Sequence, residues 1–330
     1  MMSFGSNFTR NELTLNACLV SYIVESPTEV YIDSTISACV INAILLIIGF
    51  AMNSLVVVIF ATSKQLRSKL TFLPILVLCS VDLATVSVVH PLFLIQAIAE
   101  VQGSPDCVYK IAYFSALYIF PGMSATTLLI MNVERYIAIV WPLWHLRISG
   151  KKQKFMLACV LFWLVIAANV ACRLYKPAYS KPFTTAGVSM ACLITLFIYV
   201  SMFQVARTRR SKLEASGDIE RDSNKGRQNL IHDLKIAKMY FLVVVLSFIC
   251  YLPIGIVVFA TKYPWRENEA RRTLLAQVYM WANTFISMNS TLNCLVFFWA
   301  NARLRREGLK LWQRLFKSVQ TDSRGSSESI

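Results

Sequence analysis

The sequence predicts an all-α membrane protein: a seven-transmembrane helix bundle with a short amphipathic eighth helix on the inner leaflet. Three observations carry this. First, the 330 residues are 56% hydrophobic and only 15% charged, against about 25% charged residues in soluble domains. Second, seven apolar stretches fall at roughly 36–62, 71–98, 109–140, 154–174, 184–206, 234–261 and 272–299, each long enough for the ~20 residues that cross a ~30 Å hydrocarbon core. Third, 23 of the 33 Lys and Arg lie in the segments 63–70, 141–154, 205–238 and 301–330, and only 9 in the alternate segments. Basic loops stay cytoplasmic, so the N-terminus is expected outside and the C-terminus inside, in keeping with seven spans. The net charge of +15 is thus a topology signal, and nucleic acid is excluded as a partner.

The chain divides into an extracellular tail (1–35), the seven-span domain (36–299), an amphipathic juxtamembrane helix (300–317) and a disordered cytoplasmic tail (318–330). In the third of these, Leu304, Leu311, Trp312, Leu315 and Phe316 share one helical face and basic residues fill much of the rest, which suits an anionic lipid surface. The fourth and fifth spans are separated by a short segment with Pro177 and Pro182. The longest inner segment, 205–238, is expected to extend its flanking helices around a mobile middle. Asn7-Phe8-Thr9 is a glycosylation sequon on the outer tail. The nine cysteines show no metal-ligand spacing. One outer disulfide is expected, joining Cys107 to Cys18 or to Cys172.

Charge and polarity inside the spans point to function. Asp82 is the one acid in the middle of a span. Counting residues from the inner boundary at 1.5 Å each puts Asn53, Asp82, Ser124 and Asn293 at one depth, about 15 Å in, with Asn289 a turn further. Four helices so bring a carboxylate, a hydroxyl and amides to one layer, as in a hydrated pocket able to hold a small cation such as sodium at Asp82. The alternative, that each polar group bonds only its own helix backbone, does not account for the shared depth. Arg135 ends the third span beside Glu134; adjacent helix positions diverge, so a loose local pair is expected, with Asp233 of the sixth span as a cross-helix partner. Pro91, Pro121 and Pro253 interrupt three spans.

In order along the chain, "GFAMN", "LVLCSVDLA", "ERYIAIVWPL", Trp163, "CYLP" and "NSTLNCLVF" resemble the span motifs of the rhodopsin-like (class A) G-protein-coupled receptors, over about 36–317. The resemblance implies a receptor, not an enzyme, with a heterotrimeric G protein as partner, and arrestin and a receptor kinase acting through the Ser-rich tail. It assigns the inner switch to Glu134, Arg135, Tyr136, Tyr199, Asp233, Asn293 and Phe297. The sodium pocket falls to Asn53, Asp82, Ser124, Asn289, Ser290 and Asn293. The ligand pocket falls to Phe114, Leu117, Tyr118, Pro121, Phe183, Tyr251, Ile254, Asn283 and Ser287. No organic cofactor is expected, because Ser287 stands where retinal-binding relatives carry lysine; Leu117 replaces the amine-binding aspartate. The mostly apolar set suits a small or apolar ligand. Departures are Tyr251 for tryptophan, Cys294 for proline and Phe297 for tyrosine. They leave a non-signalling or constitutively active relative as the alternative, and a small-solute transporter behind it, since no inverted repeat is visible.

Overall fold

The computed structural model describes residues 28–68, 72–103, 107–175, 177–215, 221–260 and 269–325. Asn7 and Cys18 lie outside them, as does the middle of the segment 205–238. Eight long helices follow one another: α1 Glu29–Thr62, α2 Leu73–Val101, α3 Cys107–Val140, α4 Lys151–Tyr175, α5 Pro177–Ala215, α6 Arg221–Ala260, α7 Glu269–Ala300 and α8 Ala302–Gly325. Two short helices, Lys64–Ser68 and Pro142–Arg147, occupy connections. No strand occurs among the described residues. α1 starts seven residues before the expected limit of 36, where Thr28 Oγ1 accepts from the Tyr31 amide and Glu29 occupies the first turn. α8 continues to Gly325, beyond the expected limit of 317, so part of the segment expected to be disordered is helical.

Six of the helices are long and apolar enough to cross a membrane. α7 is long but more polar, for a reason visible in its burial. Asn283, Thr284, Ser287, Asn289, Ser290, Thr291 and Asn293 are all buried in the bundle, and Thr284, Asn289, Thr291 and Asn293 share hydrogen bonds with other helices. The bundle closes as a ring: α1 packs on α2 and α7, α2 on α3, α3 on α4 and α5, and α6 on α7, while α3 also reaches α6 and α7. The surface away from these contacts is apolar, including Ile44, Ile48, Leu161, Leu196 and Phe203, as a lipid-facing surface requires.

Three devices fix the helices to each other. Gly49 lets α1 meet α2 and α7: a Cβ there would lie 2.5 Å from Thr291 Oγ1 and 2.7 Å from Val86 Cγ1. Trp163 of α4 donates its indole N–H to Met123 O and to Thr127 Oγ1 of α3, both at 3.3 Å. His90 of α2 is fully buried and lies 2.8 Å from Asn42 Oδ1, while Asn42 Nδ2 donates to Thr284 Oγ1 of α7 at 3.0 Å. His90 and Asn42 thus tie α1, α2 and α7 together.

Candidate functional site

The structure places three polar assemblies along the bundle axis. The first is the layer around Asp82. Asp82 of α2, Ser124 of α3 and Asn53 of α1 are each fully buried. Asn293 of α7 donates its amide to Asp82 Oδ2 at 3.1 Å and to Ser124 Oγ at 3.4 Å. Asn53 Nδ2 donates to Gly49 O (2.9 Å) and to Ser290 O of α7 (3.4 Å). Asn289 Oδ1 accepts from Ser247 Oγ of α6 at 2.9 Å. Hydrogen bonds thus join Asp82, Ser124 and Asn293, and Asn53 to Ser290, while Asn289 is tied to α6. Asn53 does bond its own helix, but Asn293 bridges two others.

The oxygens left over are informative. Asp82 Oδ1, Asn53 Oδ1, Asn293 Oδ1 and Ser290 Oγ are buried without a protein partner. Burying a carboxylate is costly unless its charge is met. A set of carboxylate, amide and hydroxyl oxygens is the donor type that hard cations prefer, so these residues fit the expected ion.

The second assembly lies at the α8 end. Arg135 is 6% exposed. Its Nε lies 2.7 Å from Glu134 Oε2, an ion pair in contact without hydrogen-bond alignment. Neighbouring helix positions diverge by about 100°, yet the long arginine side chain curls back to its neighbour. Glu134 Oε1 is also 3.2 Å from His145 Nε2 in the connection after α3. The loose pair expected from the sequence is thus a close one. The side chain of Asp233 lies outside those described. Tyr199 is not on Arg135 here; its hydroxyl donates to Asn132 Oδ1 at 2.7 Å. Tyr136 packs its ring on Trp141 (5.6 Å) and Phe197 (6.0 Å).

Above Arg135 sits a residue that sequence reading missed. The Arg135 guanidinium carbon lies 5.9 Å from the ring centroid of Tyr240 of α6, within the range of cation–π attraction. Tyr240 is buried and packs edge-on against Phe297 (5.9 Å, 83°). A tyrosine in an apolar run reads as core, and no spacing rule singles it out.

The third assembly, at the opposite end, is a cleft lined by α1, α2, α3 and α7. Its walls include Tyr31, Phe93, Gln96, Glu100, Lys110, Tyr113, Phe114, Tyr279 and Asn283. Lys110 Nζ and Gln96 Nε2 both donate to Glu100 Oε1 at 2.9 Å, and Tyr31 Oη donates to Oε2 at 3.1 Å. The pair is buried on both sides.

Lys110→Met is expected to cost about 3 kcal/mol, because it leaves a buried carboxylate without its countercharge. The double change Lys110→Met with Glu100→Leu should recover most of that. Thermal unfolding of the purified chain measures both, and equal losses in single and double variants would contradict the pairing.

Of the expected ligand residues, Phe114 and Asn283 line this cleft; the others are engaged elsewhere. Leu117 is buried in the core, and Ile254 packs against the same cluster. Tyr118 Oη meets Tyr279 Oη at 3.2 Å, and Arg173 lies over the Tyr118 ring at 4.0 Å. Tyr251 donates to Pro121 O at 3.1 Å, and Ser287 donates to Asn283 O at 3.1 Å. Phe183 is 57% exposed on α5 and does not line this cleft; the connection into α5 is so short that its helical phase was not readable from the sequence. Cys107 is disulfide-bonded, whereas Cys172 is an exposed free thiol, so Cys172 is not its partner. No cluster of three or more His, Cys, Asp or Glu occurs among the described residues.

A seven-helix membrane bundle with a buried Glu-Arg pair at one end and a cleft at the other defines a class of membrane receptor. The sequence profile of the 7 transmembrane receptor (rhodopsin family) matches residues 52–182 and 170–297, and the chain belongs to that family. It is 24% identical to the Allatostatin-A receptor of Bombyx mori over 281 residues, covering 78% of this chain and 74% of that one. It is 23% identical to the G-protein coupled receptor 54 of Oreochromis niloticus, covering 87% and 81%. To the Tachykinin-like peptides receptor 86C of Drosophila melanogaster it is 24% identical, covering 55% of this chain and 40% of that one. The chain is thus a multi-pass membrane receptor of the G-protein-coupled type, and not an enzyme.

Proposed function

We propose that the chain binds an extracellular ligand in the cleft between α1, α2, α3 and α7 and activates a heterotrimeric G protein at the α8 end. The buried Arg135–Glu134 pair beneath Tyr240 carries this reading. It is a charge held away from solvent at the end where the basic segments lie, and a movement of α6 would uncover it. In this orientation the N-terminus is outside, the C-terminus is cytoplasmic and the receptor acts at the plasma membrane. Arrestin and a receptor kinase would meet the Ser-rich tail.

The cleft refines the ligand. Phe93, Tyr113 and Phe114 offer aromatic walls, and the paired Glu100 and Lys110 with Asn283 offer a polar side. A ligand with an aromatic group beside a polar one fits. The Tachykinin-like peptides receptor among the relatives supports a peptide end as the source of both.

Nucleotide exchange on purified heterotrimeric G proteins, with receptor-bearing membranes against empty ones and with candidate peptides added, tests the reading. Exchange that rises with receptor and again with peptide supports it. Equal exchange with and without receptor would favour the second reading, a non-signalling relative, which rests on Cys294, beside Cys79 of α2, and on Phe297, packed against Tyr240 of α6.

Sodium at Asp82 is part of the proposal, held by the unpartnered oxygens of Asp82, Asn53, Asn293 and Ser290. Asp82→Asn keeps an acceptor and removes the charge. It is expected to abolish the dependence of thermal stability on sodium chloride relative to choline chloride in the purified chain. A sodium effect undiminished in that variant would place the ion elsewhere.

A further inference from the structure

A groove of about 350 Å³ runs between α8 and the ends of α1 and α7. Its walls are Leu55 of α1, Phe298 of α7, and Gly308, Leu309, Leu311 and Trp312 of α8. Gly308 lets α8 come close here, since a Cβ would lie 3.2 Å from Ile59 Cδ1 and 3.3 Å from Phe298. Leu309 and Trp312 remain largely exposed. Arg305 supplies the charge on the wall, and it makes no ion pair among the described residues.

Two observations say what covers the groove. Along α1, Ile44, Ile48, Leu55 and Val58 follow at steps of four, seven and three, and Ile44, Ile48 and Val58 are exposed. The groove is therefore the lower end of the lipid-facing stripe of α1, about two turns above the end of that helix. The apolar walls meet a cation at the depth where hydrocarbon gives way to headgroups, and Arg303, Arg306 and Lys310 extend the basic face of α8.

We propose that this groove holds one acyl chain of an anionic phospholipid from the leaflet on which α8 lies, with the lipid's anionic headgroup paired to Arg305. The apolar walls hold the chain through burial, and Arg305 selects the headgroup by charge. This site is separate from the proposed signalling surface, and it stands whether or not the chain activates a G protein.

Native mass spectrometry of the purified full chain, released from nanodiscs of equal phosphatidylserine and phosphatidylcholine, tests the site. One phosphatidylserine is expected to be retained per chain, favoured over phosphatidylcholine by roughly fivefold, the ratio expected from one basic residue at a membrane surface. Arg305→Gln should bring that preference to about one while retention continues. Leu309→Glu, at an exposed position that the fold tolerates, should abolish retention. Arg306→Gln, outside the groove walls, should change neither. Equal retention of the two lipids by the unmodified chain, or an equal effect of Arg305→Gln and Arg306→Gln, would overturn a specific site in favour of diffuse attraction. Unaltered retention in Leu309→Glu would overturn the groove.

Discussion

Arg135→Ala abolishes G-protein activation while surface display persists: this is the expected result for the proposed role of the arginine. The side chain is buried, sits against Glu134 and lies beneath the Tyr240 ring. Without it, Glu134 still has His145 Nε2 at 3.2 Å, so that carboxylate is not left alone. What Arg135 supplies is the one basic group of α3 at the end that faces the cytoplasm in the proposed orientation. Losing a charge that pairs across an interface costs on the order of 2–5 kcal/mol, so nucleotide exchange should fall by more than roughly 30-fold. Glu134→Gln has the opposite sign: it frees the arginine from its neighbour and should raise exchange without ligand. Antibody detection of a tagged N-terminus on intact cells reports surface display, and exchange is read in the same membranes. Full signalling by the alanine variant would end the role given to Arg135.

Gly49→Val should be the most damaging single change to the fold. The added atoms enter a space where even a Cβ would meet Thr291 Oγ1 at 2.5 Å and Val86 Cγ1 at 2.7 Å. Neither neighbour is the far end of a long side chain, and Thr291 Oγ1 is committed to Leu45 O at 3.2 Å. α1 must move away from α2 and α7 together. Overpacking of this kind typically costs about 1–3 kcal/mol, and here it also disturbs Asn53, whose amide donates to Gly49 O. Surface display of Gly49→Val and thermal unfolding of the purified protein should both fall sharply. Gly255→Ala, at an α6 glycine with nothing within 4 Å of the added carbon, should alter neither. Near-normal display of the valine variant would show that the helices can separate there at little cost.

The layer around Asp82 was legible in the sequence because depth in a membrane can be counted. Helical rise is fixed and the loop charges mark the boundary. Asn53, Asp82, Ser124 and Asn293 therefore had to share a level. What counting does not supply is rotation about each helix axis. Phe183 faces away from the bundle because the phase of α5 depends on a connection too short to read. The pairing of Arg135 with Glu134 depends on a long side chain bending back, and no spacing rule reports that. The cleft was missed for another reason. Glu100 and Lys110 fall at the ends of their spans, where charged residues are expected to be solvated, and a separation of ten positions conceals that the two meet. Tyr240 was passed over because a ring among apolar residues looks like filler until its neighbours are known.

The polarity of α7 bears on how the protein is made. This helix is the last span to be synthesised, and hydrocarbon offers nothing to its amides and hydroxyls. Their partners stand on helices already made: Asn42 and Leu45 on α1, Asp82 on α2, Ser124 on α3 and Ser247 on α6. Biogenesis therefore ends with a docking step rather than a simple insertion, with the earlier spans as the template. A nascent chain that has misplaced any one of these four has no favourable berth for its final span, so the last helix acts as their proofreader.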